Sequence, residues 1–268
     1  MAMTHRLSLA HLTAPELAPP EMVRVAADHG FDHVGLRLLP AADDGPYPLL
    51  TDAALARETR AAMRDTGVTL ADVEIVRIGP GFDPRRVEGL LARGRELGAR
   101  HVLVAGDDTD RARLIDGFGR LCDLARSHEL TADLEFMPWT AVPDIAAAAE
   151  VLRAVAHPAA GLLIDALHYH RAGGTPEAVA ALPRDWLHYA QLCDAPAAFD
   201  PAPEALIALA RGDRMMPGTG GIDLAALIAA LPADIVFSVE VPQLARQGVV
   251  PAEDRVQEAF EAACRLLG

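Results

Sequence analysis

Glu135, Asp165, Gln191 and Glu240 each stand at the end of a short apolar run that reads as a buried β-strand. Three carboxylates brought to a common point would repel one another and lose hydration, unless a cation joined them. With Gln191 using its carbonyl, all four donors are oxygens. That set favours Mn²⁺ or Mg²⁺, with Co²⁺ or Zn²⁺ as further options, because zinc prefers nitrogen and sulfur. A hard dication beside carboxylates can polarise a carbonyl while a carboxylate removes the adjacent proton.

Strand and helix patterns alternate along the whole chain. Strands are predicted at Arg6–Ala10, Asp32–Arg37, within Val68–Ile78, and at Arg100–Ala105, Thr131–Phe136, Gly161–Ala166, Trp186–Leu192 and Ile235–Val239. Helices are predicted at Pro19–His29, Asp52–Thr66, Pro84–Leu97, Asp108–Ser127, Val142–Ala156 (with Pro143 in its first turn), Pro176–Leu182, Asp223–Leu231 and Ala252–Leu267. Pro40–Pro48 and the proline-rich Ala195–Gly221 read as longer connections, the latter with some helix. Eight such units predict an α/β fold, a single (β/α)8 TIM barrel over residues 1–268. In such a barrel the C-terminal strand ends share one mouth.

Side chains two apart share a strand face. If Leu134 and Phe136 meet the helices, Glu135 faces the axis. The same logic turns Glu240 and Gln191 inward. The apolar run before Asp165 leaves its face open.

Composition narrows the function. All 24 cationic side chains are arginine, so Schiff-base and pyridoxal-phosphate chemistry and a lysine-bearing phosphate loop are excluded. The net charge of −14 and the lack of a basic run argue against nucleic acid as a partner. Cys122, Cys193 and Cys264 form no C-x-x-C pair and suggest reduced thiols in a cytoplasmic protein. Met1–Leu9 has no leader-like apolar region, and no apolar run is long enough to predict a membrane span.

Five segments carry a resemblance to a known group. They are Leu134-Glu135-Phe136-Met137-Pro138-Trp139, Asp165-Ala166-Leu167-His168, Gln191-Leu192-Cys193-Asp194, Pro217-Gly218-Thr219-Gly220 with Ile222-Asp223, and Val239-Glu240-Val241. The chain resembles, over nearly its whole length, the xylose-isomerase-like TIM barrels, a group of sugar phosphate isomerases and epimerases. The resemblance implies metal ligands at Glu135, Asp165, Gln191 and Glu240. It implies that His168 contacts substrate or moves a proton and that Arg214 orients substrate oxygens. It also implies a homo-oligomer, dimer or tetramer. Many epimerases of the group have histidine where this chain has Gln191, whereas the dehydroshikimate dehydratase branch is similar in having glutamine.

Other candidates rest on position alone. Arg37 and Arg77, with Glu74 below, are placed as substrate clamps or rim salt bridges. His11 could face the mouth or serve as a cap or core residue, and Trp139 could wall the pocket or pack beneath its rim. His170 reads as structural or exposed, Asp194 as an orienting residue, and Asp107-Asp108 as a helix cap. Gly218–Gly221 reads as a flexible turn, in itself a weak sign of phosphate binding.

The reading is an isomerase or epimerase of a small ketose or related polyhydroxy carbonyl compound, dependent on a divalent metal. Glu135 or Glu240 takes the proton next to the carbonyl, the metal stabilises the enediolate, and His168 assists or acts as base. A dehydratase of the 3-dehydroshikimate type is the alternative, marked by a carboxylate-binding arginine over the metal. A non-catalytic barrel subunit would keep the fold without the metal, and an endonuclease-like phosphodiesterase would need more histidines and a basic groove.

Overall fold

The computed structural model describes residues 5–40 and 47–268. Residues 1–4 of the predicted leaderless start and 41–46 of the predicted Pro40–Pro48 loop lie outside the described residues. Eight parallel strands close into a barrel in sequence order: β1 Leu7–Leu9, β2 His33–Arg37, β3 Thr69–Ile78, β4 His101–Gly106, β5 Thr131–Glu135, β6 Ala160–Asp165, β7 Tyr189–Leu192 and β8 Val236–Val239. Around them run α1 Pro19–His29, α2 Ala53–Thr66, α3 Glu88–Leu97, α4 Arg111–Ser127, α5 Ile145–Val155, α6 Ala166–Arg171, α7 Pro176–Ala180, α8 Pro203–Gly212, α9 Leu224–Ala230 and α10 Ala252–Leu267. Among the described residues no helix is long and apolar enough to cross a membrane.

The strands divide their side chains with period two. Val102, Val104, Leu134, Leu162, Ile164, Ala190, Leu192, Phe237 and Val239 join the large core between sheet and helices. Their neighbours Leu103, Ala105, Leu163 and Tyr189 form a separate small cluster inside the barrel. Glu135 follows Asp133 on the inner face, and Gln191 lies two residues beyond Tyr189. Leu163 in the inner cluster settles what the apolar run left open, since Asp165 shares its face.

Several helix starts differ from the sequence expectation, each through a competing cap. α4 begins at Arg111, where the Asp110 side chain accepts from Arg113 N at 3.1 Å. The predicted cap pair does other work: Asp107 pairs with Arg77, and Asp108 with Arg113. Asp144 caps α5 at 2.8 Å from Ala147 N, leaving Pro143 outside the helix. Pro84–Val87 is a 3-10 turn before α3, and Arg184–Trp186 a 3-10 turn before β7. α6 was not foreseen; Asp165 caps it, accepting from His168 N at 2.9 Å.

At the base, Gly161 pairs in register with Asp133, and an added Cβ would stand 2.1 Å from Asp133 Oδ1 and 2.5 Å from His188 Nδ1. Burial pushes the neighbouring His101 imidazole down to about 4. Burial acts the same way on His188, but Asp133 outweighs it and raises that ring. Gly161→Ala is therefore expected to cost about 1–3 kcal/mol through forced displacement. A lower urea midpoint with unchanged KM would verify it; an unchanged midpoint would show that the base yields freely.

Candidate functional site

The mouth is built from residues at or just after the C-terminal ends of the strands. Glu135 ends β5, Asp165 ends β6, Gln191 lies in β7, and Glu240 follows β8, with its N–H bonded to Leu192 O at 3.0 Å. Asp165 and Gln191 are direct partners across the sheet. All four are buried. Glu135, Asp165 and His168 offer ligand atoms that all lie within 4.8 Å of one another. Glu240 Oε1 accepts from Gln191 Nε2 at 3.2 Å, but Glu240 does not belong to that group of three, whose third member is His168.

Arg214 stands among these acids. Its Nη1 donates to Asp165 Oδ2 at 2.6 Å, its Nη2 lies 2.9 Å from Glu240 Oε2, and its Nε donates to Ala210 O at 2.8 Å. The guanidinium thus neutralises part of the carboxylate cluster. Asp194 positions it, because Asp194 and Met215 exchange both backbone hydrogen bonds at 2.8 Å. The Asp194 carboxylate accepts from the N–H groups of Gly218, Gly220 and Ile222 at 3.1, 2.8 and 3.0 Å. The Gly218–Gly221 turn therefore wraps an internal carboxylate, and those two glycine donors are not free for phosphate.

The charges shape one another. Burial, reinforced by Asp165 and Glu240, lifts the Glu135 carboxyl well above the ordinary range. Burial raises Glu240 to about 7 despite Arg214, with Glu74 and Asp165 adding to the rise. Burial would raise Asp165 too, but Arg214 and His168 outweigh it and hold it low. The His168 imidazole is pushed by burial down to about 4, only partly opposed by Asp165. It is neutral at neutral pH.

The donor set fits a divalent ion. Gln191 Oε1 is buried with no hydrogen-bond partner, a costly state for an acceptor that a cation would relieve. Protons on Glu135 and Glu240 compete with the ion. Mn²⁺ affinity is therefore expected to rise with pH, roughly tenfold per unit for each proton displaced, with the Glu240 contribution lost above about 7. Calorimetry in buffers of different ionisation enthalpy would reveal the released protons; pH-independent affinity would contradict the raised carboxyls.

A cavity of about 400 Å³ opens over this floor. Glu135, Glu240, His168, Arg214, Arg37 and Trp139 line it, while Asp165 and Gln191 lie beneath. Trp139 meets the His168 ring edge-on at 5.0 Å. Arg37 is bound to Glu74 at 2.5 and 3.1 Å, and Arg77 is bidentate with Asp107, so both take the rim salt-bridge alternative while still lining the cavity. His11 is buried against Tyr47, 5.9 Å between ring centroids; Tyr47 lines the cavity, and His11 is not among the described lining residues. His170 is half-buried against Arg171. Arg211, also at the rim, was missed; the Arg-Gly-Asp-Arg run ahead of Met215 was the available signal.

The family model described as a xylose isomerase-like TIM barrel matches residues 23–266. The 3-dehydroshikimate dehydratase of Pseudomonas putida is 27% identical over 228 residues, covering 80% of this chain and 34% of that protein. The chain spans about a third of the length of the curated relatives it matches. Among solved structures, the IolI protein with a bound zinc atom superposes with a TM-score of 0.82 at 20% identity, covering 98% of each chain. A xylose isomerase-like TIM barrel/4-hydroxyphenylpyruvate dioxygenase fusion protein gives 0.83 at 23% identity, over 98% of this chain and 42% of the other. The chain belongs to the xylose isomerase-like TIM barrel family.

Proposed function

We propose that the protein is a metal-dependent dehydratase of a small cyclic polyhydroxy carbonyl acid, of the 3-dehydroshikimate class. The observation that carries this reading is the arginine rim. Arg37, Arg77 and Arg214 each face an acid of the chain, whereas Arg211 lines the cavity with no ion pair among the described residues. A guanidinium so placed matches a substrate carboxylate, which a neutral ketose lacks. Gln191 in the ligand set and the dehydratase relative at 27% identity support it.

Glu135, Asp165, Gln191 and Glu240 would hold the ion, Mn²⁺ or Mg²⁺ by their oxygen donors, and the ion would supply a Lewis acid for the substrate carbonyl. Neutral His168, 3.6 Å from Glu135 Oε1, accepts the proton from the carbon beside that carbonyl, or passes it from Glu135. Glu240, protonated from solvent on the oxygen turned away from the ion, would give that proton to the departing β-hydroxyl, which leaves as water, and His168 would return its own proton to solvent. Trp139 holds the His168 ring and covers one side of the cavity. Arg211 fixes the carboxylate end.

A second reading, isomerisation or epimerisation of a ketose, uses the same first proton transfer and differs in returning the proton to carbon. Incubation in D₂O with Mn²⁺ against ketoses, ketose phosphates and dehydroshikimate separates the two. Loss of water from dehydroshikimate supports the dehydratase, while deuterium wash-in confined to ketoses supports the epimerase. Arg211→Ala is expected to raise KM for the acid substrate about tenfold or more with a smaller change in kcat. An unchanged KM would remove Arg211 from recognition.

A further inference from the structure

The base of the barrel, opposite the mouth, holds a second group of ligand-type side chains. His101 opens β4, Asp133 lies on β5, and His188 precedes β7. One ligand atom from each lies within 4.8 Å of the other two. His188 Nδ1 is 2.6 Å from Asp133 Oδ1, and His101 Nδ1 is 3.7 Å from Asp133 Oδ2. Thr131 Oγ1 donates to Asp133 Oδ2 at 2.5 Å and sits 2.8 Å from His101 Nδ1. The two imidazoles stack with centroids 5.2 Å apart and planes 10° from parallel, so both Nδ1 atoms meet one carboxylate. Gly161 keeps the space beside Asp133 Oδ1 and His188 Nδ1 clear of any side chain.

We propose that His101, Asp133 and His188 form a second divalent-metal site, for a borderline ion such as Zn²⁺. Two nitrogens and one carboxylate oxygen select zinc or cobalt over the harder ions that suit the all-oxygen mouth. The ion takes the place of the proton that His188 Nδ1 shares with Asp133, which leaves to solvent, while His101 moves its proton from Nδ1 to Nε2 and so frees Nδ1 to bind. A cavity of about 240 Å³, lined by both histidines, leaves room for a fourth ligand. Arg6, Arg100 and Arg184 rim it; Arg184 is paired with Asp234, and Arg6 and Arg100 are exposed to solvent screening. Their charge opposes the cation weakly and favours a small anion or hydroxide as its fourth ligand.

The site is tested by titrating chelator-stripped protein with CoCl₂ and, separately, ZnCl₂, following visible absorption and bound metal. The Glu135→Gln/Glu240→Gln variant disables the mouth and isolates the base. One bound equivalent of Co²⁺ with a visible ligand-field band is expected in that variant, weakened about 100-fold or more by adding His188→Asn or His101→Asn. Absence of a stoichiometric equivalent in the mouth variant overturns the proposal and leaves the cluster a hydrogen-bonded brace. Should the histidine variants fail to fold, Zn²⁺-induced shifts of the His101 and His188 ring protons in the mouth variant decide instead; unmoved resonances sink the site. If wild type and mouth variant bind the same single equivalent, the mouth has no metal while the base site stands.

Discussion

Glu240→Gln should lower metal-dependent turnover about 10³-fold at saturating Mn²⁺, within the range expected for loss of a positioned proton donor. The substitution keeps the shape of the side chain and removes its charge and its exchangeable proton. Glu240 lies 2.9 Å from Arg214 Nη2 and accepts from Gln191 Nε2, so the neutral amide also weakens the ligand set and leaves the guanidinium half paired. A parallel fall in Mn²⁺ affinity of about tenfold or more is expected. Steady-state kinetics across Mn²⁺ concentrations separate the two effects. Full turnover retained at high Mn²⁺ would show that Glu240 moves no proton.

The second large effect lies in stability. Arg214→Met takes the only cation from between Asp165 and Glu240 among the described contacts, leaving buried acids facing each other. Breaking a buried pair in this way costs about 3–5 kcal/mol, mostly through the uncompensated charge left behind. A divalent ion bound at the mouth would neutralise the same acids. Mn²⁺ should therefore stabilise Arg214→Met more than it stabilises wild type. Urea unfolding with and without Mn²⁺ measures both quantities. A metal-free variant as stable as wild type would mean that the acids shed their charge by protonation at no cost, as the raised Glu135 and Glu240 carboxyls partly allow.

The barrel was legible because its signals are local. Alternation at Leu134-Glu135-Phe136 already assigned inner and outer faces, and Leu134 and Phe136 do lie in the outer core. Asp165 was not assignable, because Leu162-Leu163-Ile164 is apolar on both faces: Leu163 fills the barrel while its neighbours meet helices. The start of α4 was misread for a similar reason. Asp107, Asp108 and Asp110 all suit a cap, and only the positions of Arg77 and Arg113 show which acids are already engaged.

Residue type and strand-end position determined, without coordinates, that oxygen donors gather at one mouth and that no lysine chemistry operates there. Tertiary structure alone decided that Arg214 balances the acids, that the Gly218–Gly221 turn folds around Asp194, that Arg211 reaches the rim, and that two histidines meet Asp133 at the base. The physical reason is separation along the chain. Period-two alternation is set by each strand's own backbone, whereas Arg214 and Asp165 are 49 residues apart and His188 and Asp133 are 55. Such pairings exist only once barrel closure has fixed which strand ends are neighbours.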